Sequence, residues 1–367
     1  MEDVILKVRG VEFRGWTAMS VSAGIQTLGR GFSVACSRLK DDRGTASIGI
    51  EPGDEVEVFL GSDVVVTGYV TKVSAGYDAG GIDIQVDGFS RTMMLKSALP
   101  YSAPRTFKDY AVTKLLTTLC GYFGVTVGAL VDASTAETVS FSADELVSDK
   151  IVQLVRRKSV LVTDDESGRL VLLKAGSENA TDAIETGKNV LSAKRTTDVQ
   201  NRFREYVVYG QGVNSDSTRP VTDNQVSAMV EDSAIAFRTN AVKQTGDAVA
   251  SDCLVRASML KKVAQAESDV FEYVLQGWRQ SNGALWKPNL SVKVRDTIFN
   301  VDRRMVVTDV QYSLSASGST VTLALMDADA FTFTGQSTTD DKVKTAEDES
   351  SRLQSIGSLE EAGWTNT

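Results

Sequence analysis

Two tryptophans, Trp278 and Trp286, flank the turn Ser281-Asn282-Gly283 in "GWRQSNGALWKPNLSVKV". Two indoles placed this way can stack on sugar rings or nucleobases, or pack as the foot of a hairpin. Their place at the start of a strand favours packing. Three consecutive carboxylates, Asp164, Asp165 and Glu166, raise the chemistry of a calcium site. EF-hand spacing is absent, however, and Gly168 makes the stretch a hairpin turn. The triplet Arg156-Arg157-Lys158 has the charge to meet phosphate, but it also closes a helical segment, where cations complement the helix dipole. "GYDAGG" is glycine-rich but lacks the Lys-Ser/Thr that completes a phosphate loop.

The chain contains no histidine among its 367 residues. That removes Ser-His-Asp and Cys-His nucleophile systems, the imidazole general base, and His-ligated zinc or iron. A net charge of −9 argues against a sequence-reading nucleic-acid binder, though not against a surface that nucleic acid slides past. Cys36, Cys120 and Cys253 are odd in number and far apart, so reduced, buried thiols are expected rather than a disulfide framework. Met1-Glu2-Asp3 leads straight into an alternating strand, so no signal peptide is read, and no apolar run reaches membrane-spanning length. Synthesis in a cytoplasm is the expectation. No catalytic, cofactor-binding or metal-ligating residue is assigned.

The elements that position these residues follow from hydrophobic period. "MEDVILKVRGVEF", "GFSVACSRL" and three or four short strands within 52–90 alternate, with turn signals at Gly61-Ser62-Asp63 and Asp78-Ala79-Gly80-Gly81. After Pro100 the period becomes helical. Val112, Leu115, Leu116, Leu119 and Phe123 share one face, and Gly124 ends that helix. A second helix is predicted in "SADELVSDKIVQLVRRK", with Ser142 and Glu145 as a capping box and Val147, Ile151, Leu154 and Val155 on its buried face. A hairpin then turns at Asp165-Glu166-Ser167-Gly168. "NRFREYVVYGQG" reads as a strand, and a third helix is predicted near 247–267, with Val249, Cys253, Ala257, Leu260 and Ala264 as its stripe. Four further strands follow, and past Phe333 the composition turns polar.

Two of these regions repeat. "PGDEVEV" at 52–58 matches "PNLSVKV" at 288–294, and "YVTKVSA" at 69–75 matches "VVTDVQY" at 306–312. The offsets, 288 − 52 = 236 and 307 − 70 = 237, differ by a single residue. The shared order and near-constant offset point to a duplicated β module. The predicted fold class is α+β, predominantly β: two similar β-barrels with a small α/β insertion. The expected domains are a first barrel over 1–99, an α/β insertion over 100–190, a second barrel over 191–333, and a polar tail over 334–367.

This layout resembles the central baseplate hub of contractile phage tails, in particular the Mu-type tail protein. It is also similar to the late-control D proteins and to the hub part of type VI secretion spikes. The resemblance rests on "VDGFSRTMMLKSALP", "AVTKLLTTLCGYFGVTV" and "LVRRKSVLVTDDESGRLVLLKAG". Most specific is "VRASMLKKVAQAES" followed by "YVLQGWRQSNGALWKPNLSVKV" and "VTDVQYSLSASGSTVTLALMDADAF". It implies tail-tube-like barrels and a homotrimer whose six barrels form a pseudo-six-fold ring. That ring would join the tail tube protein to the central spike, contact other baseplate proteins, and pass double-stranded DNA without sequence recognition. The implied location is the virion tail baseplate, after assembly in the bacterial host cytoplasm, with no membrane insertion, no cofactor and no catalysis. Two other readings stand beside it. A cell-wall-degrading glycosidase needs only two carboxylates, and the chain has 48 acidic residues. A carbohydrate- or receptor-binding module would display aromatic residues on loops.

Overall fold

The computed structural model describes residues 3–25, 28–38, 49–77, 82–128, 136–156, 161–211, 225–247 and 250–327. The chain divides into two compact units, Met1–Arg195 with Phe271–Ala328, and Thr196–Val270 with Asp329–Thr367. The Asp78–Gly81 turn, the Arg157 and Lys158 positions, Val249 and the 334–367 tail lie outside the described residues.

The first unit opens with seven strands: β1 (Val4–Val8), β2 (Val11–Phe13), β3 (Ala18–Gly24), β4 (Gly31–Arg38), β5 (Glu55–Leu60), β6 (Asp63–Tyr77) and β7 (Ile82–Ser90). Side chains alternate most regularly in β5 and β7. In β7, Ile82, Ile84 and Val86 point into the core while Asp83 and Gln85 face out, as a half-buried strand requires. The three or four short strands expected over 52–90 are three, because "DVVVTGYVTKVSAGY" runs as one 15-residue strand. β3 was not anticipated at all, although Met19, Val21, Ala23 and Ile25 do alternate and are all buried.

β8 (Thr106–Ala111), α1 (Val112–Gly121), β9 (Ala136–Ser140), α2 (Val147–Arg156), β10 (Leu161–Asp164) and β11 (Leu170–Leu173) come next. They surround a cluster that includes Leu115, Leu116, Leu119, Ile151, Leu154, Leu170 and Leu172. Gly124 ends the first helix as predicted. It sits at φ +67°, and the Val125 N–H reaches back to the Cys120 carbonyl at 3.0 Å. Burial pushes the Cys120 thiol up to about 12. The Ser142/Glu145 pair needs correction. The Glu145 carboxylate does accept the Ser142 N–H at 3.1 Å, but α2 starts at Val147. The pair therefore closes a turn ahead of the helix. The helical period after Pro100 likewise starts later than read, since Thr106–Ala111 is strand.

β12 (Glu178–Asn179), β13 (Ile184–Glu185) and β14 (Val190–Thr197) lead out of this region. The second unit contains β15 (Glu205–Gln211), β16 (Gln225–Glu231), β17 (Thr239–Asp247) and α3 (Ala250–Glu267). β15 pairs antiparallel with β16 and parallel with β17. Tyr206, Val208, Ala228 and Val230 pack with Cys253 and Ala257, the buried stripe predicted for the helix. Asp232 accepts from Arg202 at 2.8 Å and 3.1 Å and caps the turn through the Ala234 N–H.

β18 (Asp269–Gln276), β19 (Leu290–Asp296), β20 (Val301–Ser315) and β21 (Gly318–Asp327) complete the fold. The long sheet runs β14-β18-β21-β20-β3-β4-β7-β6-β5-β1-β2, with β19 also paired to β20. The predominantly β class of the sequence reading holds. The duplication is visible as hydrogen-bond register. β4-β7-β6-β5 and β18-β21-β20-β19 have the same strand order. Val70 and Lys72 face Gly88 and Asp87, while Val307 and Asp309 face Leu325 and Ala324. Between them Thr71 and Thr308 form the same β-bulge. Each hydroxyl donates across the ladder, to the Asp87 carbonyl at 3.3 Å and the Ala324 carbonyl at 3.2 Å. Donors and acceptors alike are 237 positions apart, 308 − 71 and 324 − 87. Ahead of β5 and β19, Gly53 (φ +98°) and Asn289 (φ +72°) each send their N–H 2.8 Å to the Val70 and Val307 carbonyls. Phe32 in β4 and Phe271 in β18 complete the match, opposite Gly88 and Leu325. One core cluster contains residues of both copies, among them Val58, Val66 and Val86 with Val294, Val307 and Leu323.

The crossing of β6 and β7 is tight. A methyl at Gly68 would lie 1.9 Å from the Phe89 carbonyl oxygen, whereas one at Gly121 meets nothing within 4 Å. Gly68→Ala is expected to lower the thermal unfolding midpoint by several degrees or prevent folding. Gly121→Ala should leave it unchanged or raise it, read by circular dichroism melts of both variants.

Candidate functional site

The three carboxylates of the Asp164–Glu166 turn are brought into three different situations. Asp164, at the end of β10, is buried at 2 % exposure. Its Oδ2 accepts the Arg30 N–H at 3.1 Å, the Thr92 hydroxyl at 2.9 Å and the Ser90 hydroxyl. Its Oδ1 faces Arg30 Nε at 3.4 Å. Arg30 is itself buried and donates further to the Val65 carbonyl at 3.1 Å and the Asp164 carbonyl at 2.9 Å. The neighbouring Thr163 hydroxyl donates to the Gly24 carbonyl at 2.6 Å. Asp165 closes the hairpin, accepting the Ser167 and Arg169 N–H groups at 3.0 Å each. Glu166 lies within 3.7 Å of Arg30 and 3.1 Å of Lys287. Burial alone would raise its pKa, but Arg30, a backbone N–H and Lys287 outweigh that and hold the carboxyl below its ordinary range.

The lone pairs that a cation would need at Asp164 are thus occupied by protein donors. The cluster fastens the β10–β11 hairpin to β3, β4, β6 and β7. The sequence reading identified the turn but not its partners. Arg30, Ser90 and Thr92 are remote in sequence, and nothing in their local pattern marks them.

The tryptophan hairpin resolves in the same direction. Trp278 and Trp286 are each 2 % exposed, so neither presents an open face to a ring. The Trp278 Nε1–H donates to the Ser313 carbonyl at 3.0 Å, and the Trp286 N–H to the Trp278 carbonyl at 3.0 Å. The Tyr312 hydroxyl donates to the Trp286 carbonyl, and burial pushes its pKa far up. Arg279 reaches back to the first copy of the repeat, donating to Asp63 at 2.7 Å and the Leu60 carbonyl at 3.0 Å. Asn289 sits at the centre of a loop junction. Its Oδ1 accepts the Gly176 N–H at 2.8 Å, and its Nδ2 donates to the Lys174 carbonyl and Ser177 hydroxyl at 3.0 Å. This hairpin is packing, and it clamps the two copies together. "GYDAGG" falls at the end of β6, where Gly76 and Tyr77 are strand.

Because Asp164 is buried with its partners satisfied, removing it strands the Arg30 charge. Asp164→Ala is expected to cost about 3–5 kcal/mol. Breaking the exposed Lys7–Glu57 pair by Lys7→Ala should cost under about 1 kcal/mol, both read by urea titration. Trp278→Ala should cost about 3–5 kcal/mol through the cavity it leaves. Glu166 has a folded pKa below its ordinary 4.5, so its contribution is full above pH 4.5 and lost as pH falls through the folded value. The stability gap between the parent protein and Glu166→Gln should hold at neutral pH and close in acid.

Comparison with known proteins places this architecture. Residues 3–90 match the family model of the Mu phage baseplate assembly protein GpP-like N-terminal domain. Residues 93–174 match the second domain of baseplate hub protein gp44-like proteins, and 251–334 the fourth domain of Mu phage baseplate assembly protein GpP. The chain is 30 % identical over 301 residues to the baseplate hub protein gp44 of Escherichia phage Mu, covering 79 % of this chain and 78 % of that one. The 43 kDa tail protein of prophage MuSo2 from Shewanella oneidensis has the same fold, with a TM-score of 0.78 at 24 % identity, over 90 % of this chain and all of the other. The tail protein from Neisseria meningitidis MC58 superposes with a TM-score of 0.76 at 17 % identity, over 89 % and 96 % of the two chains. A duplicated β module whose Asp164 cluster and tryptophan hairpin are internal locks thus coincides with a hub relative, and the chain belongs to the family of Mu-type phage baseplate hub proteins, structural components of the virion tail and not enzymes.

Proposed function

We propose that three copies of this chain form a ring at the centre of the baseplate, joining the tail tube to the central spike. The observation that supports it most directly is the register-matched repeat. Two equivalent β modules per chain turn three copies into six equivalent modules, so a three-fold assembly can present a six-fold face to a tube and keep a three-fold end for a spike. In this reading the modules belong to two tube-like barrel domains, within 1–99 and 191–333, with 100–190 as the insertion between them.

The ring encloses a channel for double-stranded DNA during ejection. A net charge of −9 supports passage over retention, because a strongly basic lumen would hold the phosphates.

Light scattering across a size-exclusion peak tests the assembly. At 39.5 kDa per chain a trimer weighs 3 × 39.5 = 118.5 kDa. That mass is the expected result, and a strict monomer at tens of micromolar overturns it. The same sample should show no retained complex with duplex DNA in a gel-shift assay at physiological salt.

A further inference from the structure

Among the described residues, the second copy of the repeat is joined to the first by the pairing of β20 with β3. β20 pairs with β3 over Asp309↔Gly24, Gln311↔Ser22, Tyr312↔Val21 and Leu314↔Met19. It does so with the half of the strand that follows the Thr308 bulge, on the edge away from β21. Two other edges in the molecule match the two sides of this junction. In the first copy, the half of β6 after the Thr71 bulge is the counterpart of that half of β20, since Lys72 corresponds to Asp309. β5 covers β6 only up to Tyr69, and beyond it the outer edge of β6 pairs with no strand among the described residues. On the other side, β14 flanks β18 as β3 flanks β4, and among the described residues it is the terminal strand of the sheet. Its contacts step antiparallel along β18: Arg195 lies over the Phe271 ring at 5.0 Å, and the Thr197 hydroxyl bonds Asp269 at 3.2 Å. Since Phe271 is the counterpart of Phe32, Arg195 takes the place of Val21, which faces Phe32 in the first copy.

The geometry points to pairing of the β6 edge of one copy with the β14 edge of a second copy, in the register the chain already uses between β20 and β3. This deepens the trimeric reading above and rests on it. Carrying the internal register over gives Lys72↔Asp198, Ser74↔Thr196, Ala75↔Arg195 and Gly76↔Lys194. Two features that the transfer did not use agree with it. Lys72 and Asp198, both exposed, become directly opposed opposite charges. Val73, Ala75 and Tyr77 fall at the positions of Val310, Tyr312 and Leu314, all buried where β20 meets β3, whereas Tyr77 is 80 % exposed in the single chain. A long exposed edge is otherwise a hazard for unspecific pairing, and a matched second edge on the same chain removes it. The contact is head-to-tail, so it closes into a ring or grows into a filament.

The Ile25 N–H bonds the Thr308 carbonyl at 2.9 Å, so Ile25 and Thr308 form a hydrogen-bonded pair and Ser22 faces Gln311 in a non-hydrogen-bonded one. Ser74 and Thr196 inherit that closer spacing, which suits a disulfide. The test is the full-length Ser74→Cys/Thr196→Cys double variant, oxidised in air and run on a non-reducing denaturing gel beside the parent, each single variant, and Ser74→Cys/Ala193→Cys, which is out of register. Linked dimers and trimers, and nothing larger, in the double variant alone are expected. A trimer by light scattering with no linked species, or with equal linking out of register, overturns this edge pairing and leaves the trimer standing. A monomer by light scattering overturns both. A ladder beyond three keeps the edge pairing and overturns the ring. As a second reading, Lys72→Glu should lower the trimer fraction and Lys72→Glu/Asp198→Lys restore it. No loss of trimer in the single charge reversal counts against the register.

Discussion

The structure depends on how β20 divides one hydrogen-bonding edge between two neighbours. Residues 301–306 pair with β19, and 309–314, on the same side, pair with β3. The Thr308 bulge lies between, where the extra residue bends the strand and lets it leave one partner for the other. A buried backbone edge without a partner would cost a hydrogen bond at every second residue, so some strand must take up the second half. β3 does, and with it two modules separated by more than half the chain become one sheet over one core. The entropy of closing so long a loop grows only slowly with length, which makes such a distant pairing affordable.

Side-chain locks then hold what the ladder joins. Arg30 and Asp164 exclude water from each other and satisfy their remaining groups on Ser90, Thr92 and the Val65 carbonyl. Arg279, in a more exposed pair with Asp63 and a bond to the Leu60 carbonyl, ties the second copy of the repeat to the first beside the two buried indoles. An ion pair like that of Arg30 adds little net stability over an apolar isostere but penalises any arrangement that separates its partners. The pairing therefore holds the β10–β11 hairpin in one position against the first copy of the repeat. It also explains why residues that read as candidate chemistry turned out to be fasteners: their donors and acceptors are turned inward.

Much of the fold was legible because it is written in local period. α1, α2 and α3 showed their buried faces in Val112 to Leu119, Val147 to Val155, and Cys253 to Ala257. The Asp165–Gly168 turn showed in its glycine, and the duplication in an offset of 236 and 237 that the hydrogen bonds reproduce. β3 escaped notice because its alternation is carried by Met19, Val21 and Ala23 among serines and glycine, a weak contrast in polarity. The onset of α1 was read early because Phe107 and Tyr110 suit either a strand or a helix.

What the sequence determined by itself is the set of modules, their order and their kinship, since periodicity and repetition are properties of neighbouring residues. What only the tertiary structure decided is which edges meet. That Asp164 finds Arg30, that Trp278 and Trp286 are closed to any ligand, and that β20 rather than β6 is covered by β3 all depend on contacts between residues far apart in the chain. Each such contact is a competition among several chemically adequate partners, and it is settled by the geometry of the assembled sheet rather than by any local signal.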